Sequence, residues 1–273
     1  MNHVAAVNVD RGIRKMDSLI NFRDVGGLPI VDGRVMRTGI LYRSNEPHKL
    51  KLKDLNKFNG LNLKLICDLR TPNERRTRLP RFVESSTRTV NIPFYQNDED
   101  YTRFQIFKQI LSTVRTIDFH QIMRDFYRKV LFDSTDQIRA VMTLLAEQGG
   151  APTLIHCASG KDRTGMIVAL LQLLAGVPRN EVMTDYMLSN PLNESETDRA
   201  IRYLRIFTCF RLSRERLLPL LEVRHEYLEE VLDELFAKYG TIESYLVQAC
   251  GVDERTIEVL RESLVSDERE AHE

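Results

Sequence analysis

Tryptophan is absent from these 273 residues, and cysteine is scarce. The four cysteines, Cys67, Cys157, Cys209 and Cys250, lie far apart and form no C-x-x-C pair. Such spacing argues against a disulfide framework and for a reducing compartment. The six histidines are equally scattered, without H-E-x-x-H or cysteine–histidine spacing, so no metal site is read. Charge of one sign is missing as well: 39 Lys and Arg balance 39 Asp and Glu. That removes the compositional case for a nucleic-acid binder or a polybasic membrane binder. No apolar run approaches the span of a bilayer, and "MNHVAAVNVDRGIRK" lacks the unbroken apolar core of a signal peptide. The expectation is a soluble cytoplasmic protein without stable membrane insertion, export by a route that uses no cleaved signal being left open.

Linkers, repeats and low-complexity tracts are also lacking, while the apolar share is enough for a real core. The chain therefore reads as one α/β domain with a helical C-terminal third. An N-terminal extension is assigned to 1–16, the domain to 17–265, and an acidic tail to 266–273. "IVDGRVMRTGILYRS" suggests two strands around the Asp32-Gly33 turn. Leu63 to Cys67 reads as a buried strand ending at Asp68, and Thr89 to Phe94 as another. Apolar residues from Phe119 to Leu131 recur at helix spacing, as do Phe104, Phe107, Leu111 and Val114 before them. These two stripes predict helices packed on the core, or a pair covering a site as a lid. A helix over Thr135 to Gln148 and a strand over Thr153 to Ile155 follow. A helix then stops at Gly176, and Pro178 starts another in its first turn. Asn193 with Glu196 resembles a capping box for the next helix.

The strand at Thr153 leads into "LIHCASGKDRTG", Leu154 to Gly165, where a thiol, two cations and a carboxylate collect just before a helix. A loop between a strand and a helix N-terminus aims successive amides inward, and the helix dipole adds positive potential. A phosphate dianion suits that concavity, and the same field favours thiolate over thiol at Cys157. Arg163 can meet two phosphate oxygens with its planar fork, and Thr164 is placed to hydrogen-bond the sulfur. Together they fit a displacement in which Cys157 attacks phosphorus and water hydrolyses the phosphocysteine, without metal or cofactor. Ala158, Ser159, Gly160, Lys161 and Gly165 would line the substrate, and His156 would order the loop. A nucleotide-binding loop is excluded, because Asp162 and Ile155 stand where that motif needs Ser/Thr and glycine.

At these residues the chain resembles the cysteine-dependent protein tyrosine phosphatase superfamily, with its signature H-C-x5-R-[S/T]. It is most similar to the microbial tyrosine/dual-specificity branch that also acts on phosphoinositides. H-C-x-x-G-K-D-R-T-G is matched from His156 through Gly165, N-F-R-D-[VL]-G-G by Asn21 to Gly27, and D-L-R-[ST] by Asp68 to Thr71. Tyr239-Gly240 and Leu260-Arg261 meet its C-terminal pattern, so the resemblance covers roughly residues 17 to 265. Ser159 departs mildly from the alanine common there.

The resemblance implies a central mixed or parallel sheet flanked by helices, and hydrolysis of phosphotyrosine (or phosphoserine/threonine) proteins, phosphoinositides, or both. A rhodanese-type sulfurtransferase and a catalytically weak phosphate-binding module are the other readings. Lys161 either recognises a second phosphate or holds the loop in shape by pairing with Asp162 or an outside carboxylate. For the proton donor, Asp118, Asp125 and Asp133 precede the cysteine, but Asp125 sits on a polar helix face. Asp162, inside the loop, is preferred to Asp68 at the strand end. Both could face one cleft, since ligands collect at the carboxyl ends of strands in such sheets.

Overall fold

The computed structural model describes residues 16–76, 87–94 and 117–269. The strands are β1 (Arg23–Asp24), β2 (Arg34–Met36), β3 (Leu41–Ser44), β4 (Leu65–Asp68), β5 (Arg88–Asn91), β6 (Thr153–His156) and β7 (Val265–Arg269). The helices are α1 (Leu55–Asn59), α2 (Phe119–Phe132), α3 (Thr135–Glu147), α4 (Asp162–Ala175), α5 (Arg179–Met187) and α6 (Ser189–Phe207). They continue with α7 (Arg214–Leu221), α8 (His225–Tyr239), α9 (Ile242–Gln248) and α10 (Glu254–Leu264).

Five strands form the central sheet in the order β1-β3-β6-β4-β5. Only the β1–β3 pair is antiparallel; the others are parallel, with Ser44 and Asp68 both in register with His156. The sheet is thus mixed and mostly parallel, flanked by helices, as expected. β4 and β6 are buried along their whole length, as strands covered on both faces must be. Their side chains alternate between two cores. Leu65, Cys67 and Ile155 pack with α4 and the C-terminal helices, while Ile66 and Leu154 pack with Phe22, Leu50, Phe58 and Leu61. α4 is apolar nearly all round because it is enclosed, and it stops where Gly176 takes φ 92°.

Several expectations need correction. The Asp32-Gly33 turn is present, with Ile30 and Arg34 hydrogen-bonded across it, but its first arm is only an isolated Pro29–Val35 bridge. Proline has no N–H with which to extend a ladder. The second predicted arm splits, so that β2 stays at the turn and β3 joins the main sheet. Asn193 caps nothing. Leu188 keeps helical angles after α5, so α6 starts at once and Asn193 lies inside it, its amide donating to the Ser189 carbonyl at 2.7 Å. Pro178 is the N-cap of α5, one residue ahead of the first turn. Residues 266–269, assigned to a ragged tail, continue β7, which pairs antiparallel with β2 and sets Val265 opposite buried Met36. α2 forms as its stripe predicts, with Met123, Tyr127, Val130 and Leu131 in the core. The stripe from Phe104 to Val114, and hence the lid pairing, lies outside the described residues.

Candidate active site

Residues 157–161 link the end of β6 to the start of α4, and what surrounds this loop decides where its backbone points. The carbonyl of His156 accepts from the Leu69 amide at 2.9 Å, and that of Ala158 from the Glu46 amide at 3.3 Å. The Cys157 carbonyl faces His156 Nδ1 at 3.1 Å. The Gly160 carbonyl accepts from Asn21 Nδ2 and from an Arg43 terminal nitrogen, both at 2.7 Å. That same Arg43 nitrogen donates to the Lys161 carbonyl at 3.2 Å. In a trans peptide the next N–H points opposite to the carbonyl. Holding these five carbonyls outward therefore turns the amides of Cys157, Ala158, Ser159, Lys161 and Asp162 away from those supporting groups.

Gly160 is obligatory in this arrangement. Its φ is +67°, and a Cβ there would stand 2.1 Å from the Ser44 carbonyl oxygen. The early N-F-R-D-V-G-G stretch supplies the support. Asn21, itself at φ 57°, holds Gly160 and accepts from Arg23. Arg23 binds Asp185, and Asp24 receives the amides of Gly26 and Gly39. Gly26 has no space for a side chain, since a Cβ would meet the Arg37 carbonyl oxygen at 2.1 Å.

The charges around Cys157 are arranged in two tiers. Beneath the loop, Arg23 and Arg43 are fully buried beside Asp185. Burial first, and then Arg23, push the Arg43 guanidinium down to about 9 against the pull of Asp185, leaving it charged at neutral pH. At the loop's other end Arg163 donates to both Glu74 oxygens, at 2.7 and 2.6 Å, and to the Leu69 carbonyl at 3.3 Å. Burial opposes its charge, but Glu74 and Cys157 more than offset this and hold it protonated. A guanidinium has five N–H donors, so two stay available in a fork already aimed by Glu74. Sequence reasoning missed Glu74, although Thr71-x-x-Glu74 is a capping-box pattern. The Thr71 amide donates to Glu74 Oε2 at 2.9 Å and the Glu74 amide to Thr71 Oγ1 at 3.4 Å.

The two candidate aspartates differ sharply. Asp68 accepts from the Arg70 amide, Nε and a terminal nitrogen, all at 3.0 Å, with Arg75 Nε at 3.2 Å. Burial alone would raise it, but Arg70 and His156 outweigh that and hold the carboxyl below the usual range. Arg70 also reaches Glu46 at 2.6 Å, tying β4 to the segment that supports Ala158. Asp162 instead accepts from the Tyr127 hydroxyl at 2.9 Å, and Tyr127 and Tyr186 hydroxyls lie 2.6 Å apart. Tyr127 spends its one proton on Asp162, so Tyr186 donates to Tyr127. Burial keeps both phenols protonated. The second Asp162 oxygen is 3.7 Å from Lys161 Nζ, which donates to the Leu220 carbonyl at 3.3 Å. None of Arg23, Arg43, Asp185, Tyr127 and Tyr186 stood out in sequence as part of a site.

The remaining residues complete the picture. Cys157 is buried at the start of the loop. Thr164 Oγ1 is buried with no hydrogen-bond partner among the described residues. His156 is fully buried, and burial pushes its imidazole down to about 4 despite Asp68 Oδ1 at 3.7 Å, so it is neutral at pH 7. It therefore orders the loop through Nδ1–H. No cluster of three or more metal-ligating side chains occurs among the described residues. Asp118 caps α2 through its side chain, with the amides of His120 and Gln121, and Asp125 accepts from Gln121 on the exposed helix face.

Residues 14–266 match the profile of the tyrosine phosphatase family. The chain belongs to that family. It is 29% identical over 239 residues to a putative tyrosine-protein phosphatase of Cupriavidus necator, covering 87% of this chain and 84% of the relative. The triple specificity protein phosphatase PtpB of Mycobacterium tuberculosis is 28% identical over 280 residues, covering 91% of this chain and 98% of its own. The core catalytic domain of the PP-IP phosphatase SIW14 from S. cerevisiae, solved with citrate, overlaps 81% of this chain and 93% of its own. That overlap has 15% identity and a TM-score of 0.34. The phosphatase family resemblance read from the loop motif is thus borne out, and the sulfurtransferase reading is not favoured.

Proposed function

We propose that this phosphatase hydrolyses phosphomonoesters through a phosphocysteine formed on Cys157. The observation that carries the reading is the loop in which five carbonyls are held outward, with Arg163 aimed by Glu74 beside the thiol. The dianion sits in the ring of amides from Ala158 to Asp162 and takes the two remaining donors of Arg163. The sulfur attacks phosphorus as the P–O bond to the leaving group breaks, and the amides and Arg163 stabilise the equatorial oxygens. Asp162 gives its proton to the leaving oxygen. Water then attacks the phosphocysteine and passes a proton to Asp162, the P–S bond breaks, and phosphate leaves. Thr164, whose hydroxyl is otherwise unengaged, hydrogen-bonds the departing sulfur. Asp68, ionised between two arginines, positions Arg70 and the strand end and is no proton donor. Gly165 belongs to the support: a Cβ there would press on Tyr186 at 3.1 Å and Arg43 at 3.2 Å.

The substrates fitting this site are phosphotyrosine proteins, with phosphoserine/threonine proteins and phosphoinositides beside them; the triple-specificity relative supports that breadth. Lys161 is engaged by the Leu220 carbonyl and by Asp162, which favours the role of holding the loop. The domain is read from residue 17 and, with β7 included, as far as 269, and the location as cytoplasmic, in keeping with four free cysteines. Among the described residues no helix is long and apolar enough to cross a membrane.

The test is phosphate release from p-nitrophenyl phosphate in the presence of a chelator. Turnover should persist, vanadate should block it, and Cys157→Ser should abolish it while still binding phosphate. Lys161→Ala should lower activity equally on phosphotyrosine peptides and on polyphosphorylated inositol lipids; a selective loss on the lipids would assign it to substrate recognition. Normal turnover by Cys157→Ser would end the covalent reading.

A further inference from the structure

α6 carries two apolar stripes where a helix lying on a core needs one. Its inner stripe is accounted for: Ile201 packs with Phe119, Leu212 and Leu217 in a small separate core. The outer stripe faces solvent. Tyr203, Ile206 and Phe210 are 65%, 61% and 66% exposed, and Tyr203 stacks on partly exposed Phe207 with ring centres 5.6 Å apart. Spacings of three and four place Tyr203, Ile206 and Phe207 on one side of α6, and exposed Phe210 follows three residues beyond its end. Exposed large apolar side chains in such a row mark a contact surface more often than a neutral one.

The backbone after α6 strengthens the point. Cys209 and Phe210 both adopt positive φ, 49° and 58°. Glycine or asparagine ordinarily fills such positions after a helix, and a bulky residue there is an outlier. The conformation leaves the Phe210 ring outward, with the Arg205 guanidinium 5.5 Å from its centre. The same turn closes α6, the Cys209 amide donating to the Ile206 carbonyl at 3.0 Å and the Phe210 amide to that of Arg205 at 2.6 Å.

Charge decides the partner. From Arg199 to Arg216 the chain has six arginines against one acid, Glu215, of which Arg199 and Arg214 pair with Glu196 and Asp198 earlier in α6 at 2.5 and 2.7 Å. Arg202, Arg205 and Arg211 are exposed and flank the apolar row. Aromatic side chains set among arginines suit the boundary of an anionic bilayer, where rings enter the headgroup layer and guanidiniums meet phosphates. α7 follows directly, and its Leu220 carbonyl holds Lys161 of the catalytic loop.

We propose that the outer face of α6 and the turn through Phe210 docks this phosphatase onto an anionic lipid surface. Docking there ties the membrane contact to the catalytic loop through α7. The proposal rests on the phosphatase reading only for its use, because binding is measured without a phosphorylated substrate.

The full chain is sedimented with vesicles of phosphatidylcholine and phosphatidylserine at about 7:3, and with phosphatidylcholine alone. The bound fraction should exceed that on neutral vesicles by about tenfold and fall as salt rises to about 0.5 M. Ile206→Gln with Phe210→Gly should lower binding by about tenfold, and Arg202→Gln with Arg211→Gln should weaken it and flatten its salt dependence. The glycine at 210 suits the positive φ, so folding is retained, as thermal unfolding will show. Hydrolysis of p-nitrophenyl phosphate should stay within about twofold in both variants, these residues lying outside the machinery. Absence of binding by the wild type, or equal binding by the variants, overturns the proposal. So does a variant that merely turns a dimer into a monomer, which makes the face a self-interface. Failure of the phosphatase reading would show separately, as absent turnover.

Discussion

Asp68 and Asp162 are both carboxylates near one cysteine, and what differs between them is the set of neighbours. Arg70 and His156 hold Asp68 below the usual carboxylate range, whereas Asp162 takes a phenol on one oxygen and has Lys161 Nζ 3.7 Å from the other. Loss of the true acid slows poor leaving groups most. Asp162→Asn should thus cut turnover of alkyl phosphates far more than of p-nitrophenyl phosphate, by about 10²-fold or more, with Asp68→Asn unselective. Tyr127→Phe should reproduce a milder form of the same selectivity and add none to Asp162→Asn, a double-mutant cycle read in kcat on both substrates. Selective loss in Asp68→Asn would reverse the assignment. Glu74→Gln tests the aim of Arg163. Glutamine has the same reach but only one acceptor atom, so the fork loosens. kcat/KM on p-nitrophenyl phosphate should fall by about 10²-fold, as for other small misplacements of a positioning group. A value within a few-fold of wild type would show that Arg163 aligns without it.

Elements determine how rigid that geometry is. The loop at 157–161 is short, and segments brought from far along the chain clamp it: Asn21 before β1, Arg43 in β3, Glu46 beyond β3 and Leu69 beyond β4. Gly160→Ala concentrates the consequence. The new methyl would need both a disfavoured φ and space occupied by the Ser44 carbonyl. Backbone cannot step aside as a flexible side chain can, so the loss should exceed about 3 kcal/mol in urea unfolding and abolish phosphate binding. A variant folded and active near wild type would mean that the β3 end is not fixed. By contrast α2 and α5 reach the loop from one side, through the phenols of Tyr127 and Tyr186 and, from α5, through Asp185 beneath Arg23 and Arg43, because both helices pack beside α4.

At the scale of the whole molecule, the site's buried ionisable groups make the fold acid-sensitive. His156 has its imidazole at about 4 when folded, against an ordinary 6.5. Between those values the unfolded chain binds the extra proton, so stability falls as pH drops through that window and levels off below it. Asp68 and Glu74 are both held below their ordinary range, so their contributions are full above it and vanish as pH falls through the lowered folded values. All three act in one direction. Stability from urea midpoints should decline steadily from pH 6.5 toward 4, on the order of 3 kcal/mol of it from His156. His156→Gln should flatten the upper part of that curve, and a flat wild-type profile would show that the histidine is not buried neutral.

Spacing along the chain was sufficient for everything local. The helix stripes, the buried runs at β4 and β6 and the stop at Gly176 follow from periodicity and backbone chemistry. Cys157, Arg163 and the amide-lined loop stand within a few consecutive residues, and so were legible. Asn193 with Glu196 misled because a capping pattern carries no record of whether the preceding helix has ended. The strand at Val265–Arg269 was hidden because its pairing partner lies at Arg34–Met36, at the other end of the chain. Only the tertiary structure brought Glu74 to Arg163, Asn21 and Arg43 to Gly160, and Tyr127 to Asp162. Each of those contacts joins residues whose separation in sequence bears no relation to their distance in space.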